Sequence, residues 1–272
     1  MTSSPDEFPY RLIATDLDGT LLRGDDTVSP RTRAALAEAG RRGAVHLVVT
    51  GRAVPWTRQV LDALDYRGLA VCGQGAQVYD AGTGRMLTSV TLDRSLAQLA
   101  VAKIEAEVGP LLLAASRDGV EGEVLVAPGY EVQDGPLPHV PYTHPEELWA
   151  EPLNKIYVQH RSLSDDELTS VARAAAGDLV SVTMAGEGVV ELLPLGLTKA
   201  RGLALAARRL GAVRATTLAF GDMPNDVPML EWAGRGVAMA NAHPELRLVS
   251  DEVTASNEED GIAVVLERML HG

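Results

Sequence analysis

The chain has 272 residues, 46% hydrophobic and 22% charged, with 26 glycines and 15 prolines; these proportions exclude a collagen-like repeat, wholesale disorder and a disulfide-stapled miniature. The length allows one large domain or a core carrying a second module. Acidic residues outnumber basic ones 37 to 24, and the formal charge of −13 opposes nucleic acid and anionic membranes. The same field repels a small phosphorylated ligand, so a phosphate site here requires a bound cation and a few well-placed basic groups.

The opening Met1 to Glu7 lacks a basic head and an apolar stretch, so it resembles a frayed polar terminus and not a signal peptide. No apolar run approaches the ~18 residues that span a bilayer. The expectation is a cytoplasmic protein with no membrane partner and no nucleic-acid partner. Cys72 is the single cysteine, which rules out an intramolecular disulfide and a cysteine-rich metal site. It closes the apolar run Leu69-Ala70-Val71 and reads as strand packing rather than a reactive thiol.

In chain order, the first run is Arg11 to Thr15, followed by the turn Asp16 to Thr20. Ser29-Pro30 is an N-cap with proline at the first helical position, opening a helix to about Arg42. Ala44 to Val49 predicts a second buried strand; Thr50-Gly51-Arg52 then leads into a helix with Trp56, Val60, Leu61 and Leu64 on one face. Leu69 to Cys72 is a third strand. Near the other end, Thr198 is expected to cap a helix ending at Gly211, with strands at Thr217 to Phe220 and Gly236 to Ala240. Short apolar runs alternating with helical patterns predict a parallel sheet with crossover helices.

From about Thr83 to Pro194 the pattern changes. An amphipathic helix at Ser95 to Val108 precedes strands at Leu111 to Ala115, Val124 to Ala127 and Ile156 to Val158. Ser164-x-x-Glu167 is a capping box opening a helix to about Ala176, and Leu179 to Met184 with Val189 to Leu193 predict a closing hairpin. The expected fold class is therefore α/β, a parallel-sheet core made of residues 1–83 and 194–272 with an inserted α+β module at 84–193.

Ligands bind at the carboxyl ends of strands in such sheets, and there the sequence places its polar residues. Asp16 and Asp18 follow the first strand at a spacing that projects both carboxylates to one side of an extended backbone. They form either a pair that needs a cation or proton between them, or a solvated Asp-Gly turn. Thr50 and Gly51 stand before a helix start, where they make either an anion seat or an ordinary cap. Asp222, Asn225 and Asp226 share one turn after a late strand, a set that an acidic first helical turn would also explain. Lys199 lies in the first turn of its helix, facing the positive end of the macrodipole, so something anionic is expected to compensate it: Asp226, Asp222 or a bound phosphate.

Asp16-Leu17-Asp18-Gly19-Thr20, Val49-Thr50-Gly51-Arg52, Leu197-Thr198-Lys199 with Gly202, and Gly221-Asp222-Met223-Pro224-Asn225-Asp226 occur in this order. Together they resemble the motifs of the haloacid dehalogenase-like superfamily, in its Cof-type phosphatase branch. Val237 to Ala242 and Asn257-x-x-Asp260-Gly261 extend the likeness over nearly the whole chain, and the insert falls where that branch carries its cap. Gln74-Gly75-Ala76 departs from the Asn-Gly-Ala usual there. The resemblance implies a Rossmann-like core, with Asp16 as nucleophile forming an aspartyl-phosphate and Asp18 as general acid and base. It implies Mg²⁺ held by Asp16, the backbone carbonyl of Asp18, and Asp222. Thr50, the Gly51 amide, Lys199 and Asn225 would hold the phosphoryl oxygens, with Asp226 orienting Lys199.

An acid at position 18 argues against dehalogenation, because halide leaves without a proton. Phosphonate hydrolysis would call for an imine-forming lysine in the cap; Lys103 and Lys155 read instead as a solvated helix face and a strand edge. The expectation is a Mg²⁺-dependent phosphatase for a small phosphate ester such as a sugar phosphate. A phosphomutase of the same fold and a non-catalytic phospho-ligand binder are the alternatives. Specificity would reside in the cap, where Arg117, His139, His144, His160 and Glu187 are polar candidates. Oligomeric state is left open, a monomer being compatible with everything above.

Overall fold

A computed structural model describes residues 7–132, 139–186 and 188–271; Glu187 and the stretch 1–6 of the polar terminus lie outside the described residues. The first sheet follows from the short apolar runs. Strands β1 (Leu12–Thr15), β2 (Val45–Val49) and β3 (Leu69–Cys72) lie side by side in parallel. The hairpin β4 (Gln77–Asp80) and β5 (Arg85–Ser89) adds two antiparallel strands at that edge. The boundary expected at residue 84 would give β5 to the insert, yet β5 pairs in this first sheet.

The second sheet comes from the insert: β6 (Leu112–Arg117), β7 (Val124–Val126), β8 (Val140–Pro141), β9 (Leu153–Gln159), β10 (Val180–Gly186) and β11 (Val189–Pro194). Its order is β10-β11-β9-β6-β7-β8. The chain then returns to the first sheet with β12 (Thr217–Gly221), β13 (Arg235–Ala238) and β14 (Glu252–Val253), giving the order β14-β13-β12-β1-β2-β3-β4-β5. Strand β1 is thus central, with later segments on one side and earlier ones on the other. The crevice at its carboxyl end is the topological switch point of the sheet.

Helices cover both faces of the first sheet. On one lie α1 (Pro30–Arg41) and α2 (Val54–Ala63). The insert contributes α3 (Arg94–Val108) and α4 (Asp165–Ala176), and the returning chain adds α5 (Lys199–Arg209), α6 (Val227–Trp232), α7 (Pro244–Val249) and α8 (Gly261–His271). Ile13 of β1 packs among residues of α1, α2 and α8, whereas Leu12 and Ala14 pack with Leu203 of α5 and Leu230 of α6. Burial of both faces explains why these strands read as continuous apolar runs.

Ser29 caps α1 by accepting from the Thr32 amide, and Ser164 with Glu167 makes the capping box of α4, as the sequence predicts. Thr198 occupies the cap position of α5 but makes no side-chain capping bond. Gly202, one turn into α5, lets that helix press on the turn after β3: a Cβ there would lie 2.4 Å from Val71 Cγ1 and 2.6 Å from Gly75 Cα. This contact brings the first turn of α5 to the switch point.

The insert's sheet obeys the alternation of a strand with two different faces. Ile156 and Val158 of β9, with Val190 and Leu192 of β11, pack in a core that includes Ala100 and Ile104 of α3 and Leu168 and Ala172 of α4. Lys155, Tyr157 and Glu191 point the other way, toward the first sheet, and with Ala114, Val124 and Val126 they form a roof over the crevice.

Candidate active site

Three strand ends build the floor. Asp16 follows β1, and its amide donates to Phe220 O at 3.1 Å, which ties it to β12. Thr50 follows β2 and Asp222 follows β12. The turn after Asp16 owes its shape to Gly19, at φ +68, where a Cβ would lie 2.3 Å from Asp222 Oδ2. Thr20, next along, donates its hydroxyl to Asp222 Oδ1 at 2.8 Å. The Asp-x-Asp-Gly-Thr segment therefore positions its own first carboxylate and orients a second one two hundred residues away.

Lys199 supplies the positive centre. Its Nζ lies 2.9 Å from Asp16 Oδ1 and 2.7 Å from Asp226 Oδ1, and the side chain is fully buried. Asp226 is compensated completely, since its Oδ2 also accepts from the amides of Asp222 and Met223 at 3.1 Å each. Burial alone would push the Lys199 ammonium down, but Asp16 and Asp226 outweigh it and hold its pKa above the ordinary value. Of the anions expected to compensate this lysine, Asp226 does so, and Asp16, which was not among those candidates, is its second partner.

Asp16, Asp222 and Asp226 have carboxylate oxygens all within 4.8 Å of one another. Burial raises the Asp16 carboxyl well above the usual range against the pull of Lys199, and it raises Asp222 to about 7, with Asp226 adding repulsion. One lysine faces three carboxylates here, so the floor is short of positive charge. With Asp226 already saturated, Asp16 and Asp222 offer hard oxygen donors, a set that suits a divalent cation.

Asp18 is placed differently from Asp16. Its side chain is 46% exposed, and Arg52 grips it from Nε at 2.9 Å and from NH2 at 2.5 Å. The Arg52 amide donates to Thr50 Oγ1 at 3.0 Å, so the loop after β2 is closed on itself. Asn225 donates to Gln74 Oε1 at 3.1 Å, while its own Oδ1 is buried without a partner. Asp16, Asp18, Gly51, Lys199 and Asn225 all line one pocket between the two sheets. Thr50 and Asp226 lie buried just behind it.

The roof brings residues the sequence reading placed elsewhere or missed. Lys155, expected at a strand edge, sits in mid-sheet, 1% exposed, on β9 between β11 and β6. It donates to Gly51 O at 2.6 Å, pairs with Glu191 Oε1 and lies 4.5 Å over the Tyr157 ring. Burial lowers its pKa, and Glu191 opposes that shift. Gln74 bridges the two layers, donating to Glu191 Oε2 at 2.7 Å while accepting from Asn225. It holds φ +60, a conformation that asparagine tolerates better, and its longer side chain spans the gap to Glu191. Lys103 pairs with Asp178 on an exposed helix face, as expected.

The polar cap candidates fare otherwise. Arg117 pairs with Glu123, His160 Nε2 lies 3.0 Å from Val108 O, and neither they nor His139 and His144 line this pocket. Cys72 is buried and its thiol pushed up to about 12 by burial, as strand packing requires. No helix among the described residues is long and apolar enough to cross a membrane.

Comparison with known proteins agrees with this geometry. The chain is 30% identical over 273 residues to the HMP-PP phosphatase of Serratia proteamaculans, covering 96% of each chain. It is 28% identical over 291 residues to the 5-amino-6-(5-phospho-D-ribitylamino)uracil phosphatase YwtE of Bacillus subtilis, covering 96% of this chain and 99% of that one. Its fold matches the solved structure of a haloacid dehalogenase-like hydrolase from B. subtilis with a TM-score of 0.80 at 24% identity, over 94% of this chain and 99% of the other. Residues 13–266 match the family described as haloacid dehalogenase-like hydrolase. The motif resemblance is borne out over almost the whole chain, and the protein belongs to the haloacid dehalogenase-like hydrolases, in their Cof-type phosphatase branch.

Proposed function

We propose that the protein is a Mg²⁺-dependent phosphomonoesterase that hydrolyses a small phosphate ester through an aspartyl-phosphate on Asp16. The observation that carries this reading is the 2.9 Å contact of Lys199 Nζ with Asp16 at the floor of a pocket where Asp222 stands beside them. Asp16 attacks phosphorus, its oxygen forming the new P–O bond as the ester oxygen of the leaving group departs. Asp18 gives that oxygen a proton, then takes one from the water that attacks the aspartyl-phosphate, which restores the Asp16 carboxylate and frees inorganic phosphate. To do this Asp18 leaves the Arg52 fork, a movement its exposure permits.

Lys199, Thr50, the Gly51 amide and Asn225 hold the phosphoryl oxygens, and Asp226 fixes Lys199. Asp16, the Asp18 carbonyl and Asp222 would hold Mg²⁺, which would supply positive charge to offset the phosphoryl oxygens. The insert's sheet covers the site as a cap and excludes water from it. The two curated relatives described above are named for different phosphorylated compounds, which supports the reaction and leaves substrate choice to the cap.

The test is phosphate release from acetyl phosphate with and without Mg²⁺, by the natural chain and by Asp16→Asn. Turnover that needs the metal and disappears in a folded Asp16→Asn variant supports the reading. Full turnover by that variant, or turnover indifferent to chelation, overturns it.

A further inference from the structure

We infer that the leaving group this site accepts is a flat, weakly polar ring and not a polyhydroxylated sugar; the inference rests on the phosphatase reading above and names its substrate class. Among the described residues, the cap surface over the catalytic carboxylates includes Ala114, Val124, Val126, Tyr130, Val189 and Tyr157. The core adds Trp56, at the start of α2. The Trp56 and Tyr157 rings stack, with centroids 6.4 Å apart and planes 29° from parallel. An apolar and aromatic surface of this kind rewards a ring laid against it.

Among the described residues, the two charged side chains buried on the same surface are already committed. Lys155 gives its protons to Gly51 O and Glu191 and sits over the Tyr157 ring; the second oxygen of Glu191 is taken by Gln74. Glu191 and Lys155 are each 1% exposed, and a sugar hydroxyl could bind either only by breaking a buried ion pair. Glu131 also lines the pocket, but it is exposed at the rim. A hexose phosphate entering here would surrender the water on several hydroxyls without recovering the bonds, whereas a ring loses little and buries its faces.

The experiment compares benzyl phosphate, glucose 6-phosphate and acetyl phosphate as substrates of the full chain with Mg²⁺ in excess. The first two are both primary alkyl esters, so their intrinsic barriers are similar and the ratio of their kcat/KM values reports the leaving-group pocket. The expected ratio is at least ~10-fold in favour of benzyl phosphate, the scale on which an apolar pocket discriminates. Val126→Thr, which puts a hydroxyl on the roof at nearly constant volume, lowers the ratio, and Trp56→Ala, which removes one of the two stacked rings, lowers it further. A ratio of one or less, or a ratio unmoved in both variants, overturns the ring assignment while acetyl phosphate turnover leaves the phosphatase reading standing. Release from none of the three phosphate compounds overturns the phosphatase reading and this inference with it.

Discussion

The ammonium of Lys155, on the cap, donates across 2.6 Å to the carbonyl oxygen of Gly51, in the core loop that follows β2. A single buried cation thereby ties the roof of the pocket to the loop proposed to seat the phosphoryl group, and Glu191 with Gln74 carries the tie on to Asn225.

Removing only the cation should be costly. Lys155→Met leaves Glu191 buried without its partner and should destabilise the protein by about 3–5 kcal/mol. Replacing both, as Lys155→Met with Glu191→Leu, should recover most of that loss, because two apolar side chains need no compensation. Urea unfolding of the natural chain, both single variants and the double variant checks this; a double variant as unstable as the sum of the singles contradicts it.

Asp18→Asn should lower kcat on an alkyl phosphate by roughly 10²–10⁴, the usual contribution of general acid–base help. With 4-nitrophenyl phosphate, whose leaving group departs without a proton, formation of the aspartyl-phosphate should suffer far less. Rapid-quench measurement of the phosphoenzyme separates the two steps, and equal losses on both esters would remove Asp18 from the acid role.

Gly19→Ala combines two penalties at one atom. The residue holds φ +68, and the added Cβ would fall 2.3 Å from Asp222 Oδ2. Strain of about 1–3 kcal/mol is expected in stability, together with a displaced Asp222 and weakened Mg²⁺ binding. Calorimetric titration with Mg²⁺ reads the second effect, and unchanged affinity would show that Asp222 keeps its place.

His46 gives the fold an acid-sensitive element away from the site. Its Nε2 lies 2.8 Å from Thr15 Oγ1, and burial lowers its pKa from 6.5 to about 4. The unfolded chain therefore binds the proton first as pH falls. The contribution is complete above pH 6.5 and lost as pH falls through about 4, on the order of 3 kcal/mol. Unfolding curves at pH 7 and pH 4 should differ less for His46→Gln than for the natural chain, by that amount.

Periodicity alone disclosed most of the architecture, because a buried parallel strand must be apolar on both faces and its helices on one. The runs around Ile13, Val48 and Leu218 are such strands, and the hairpin of β10 and β11 was equally legible from its glycines. The β4–β5 hairpin was missed as part of the core sheet: Arg85 to Ser89 is half exposed and polar, as an edge strand is free to be, so its sequence lacks the apolar run that marks the interior.

The floor of the pocket was also written locally. Asp16, Asp18, Thr50, Lys199, Asp222, Asn225 and Asp226 stand at strand ends or first helical turns, where backbone geometry alone sends them toward the switch point. The roof was not, since Lys155 lies 104 residues from Gly51 and Gln74 lies 117 from Glu191. Which face of β9 looks at the core depends on how α3 and α4 cover the other one, a matter of tertiary packing. The sequence thus determined which polar residues gather at the switch point, through motifs each satisfied within its own turn. Only the docking of the cap decided that a lysine read as a strand-edge residue would become the buried link between the two layers, with an apolar, aromatic surface beside it.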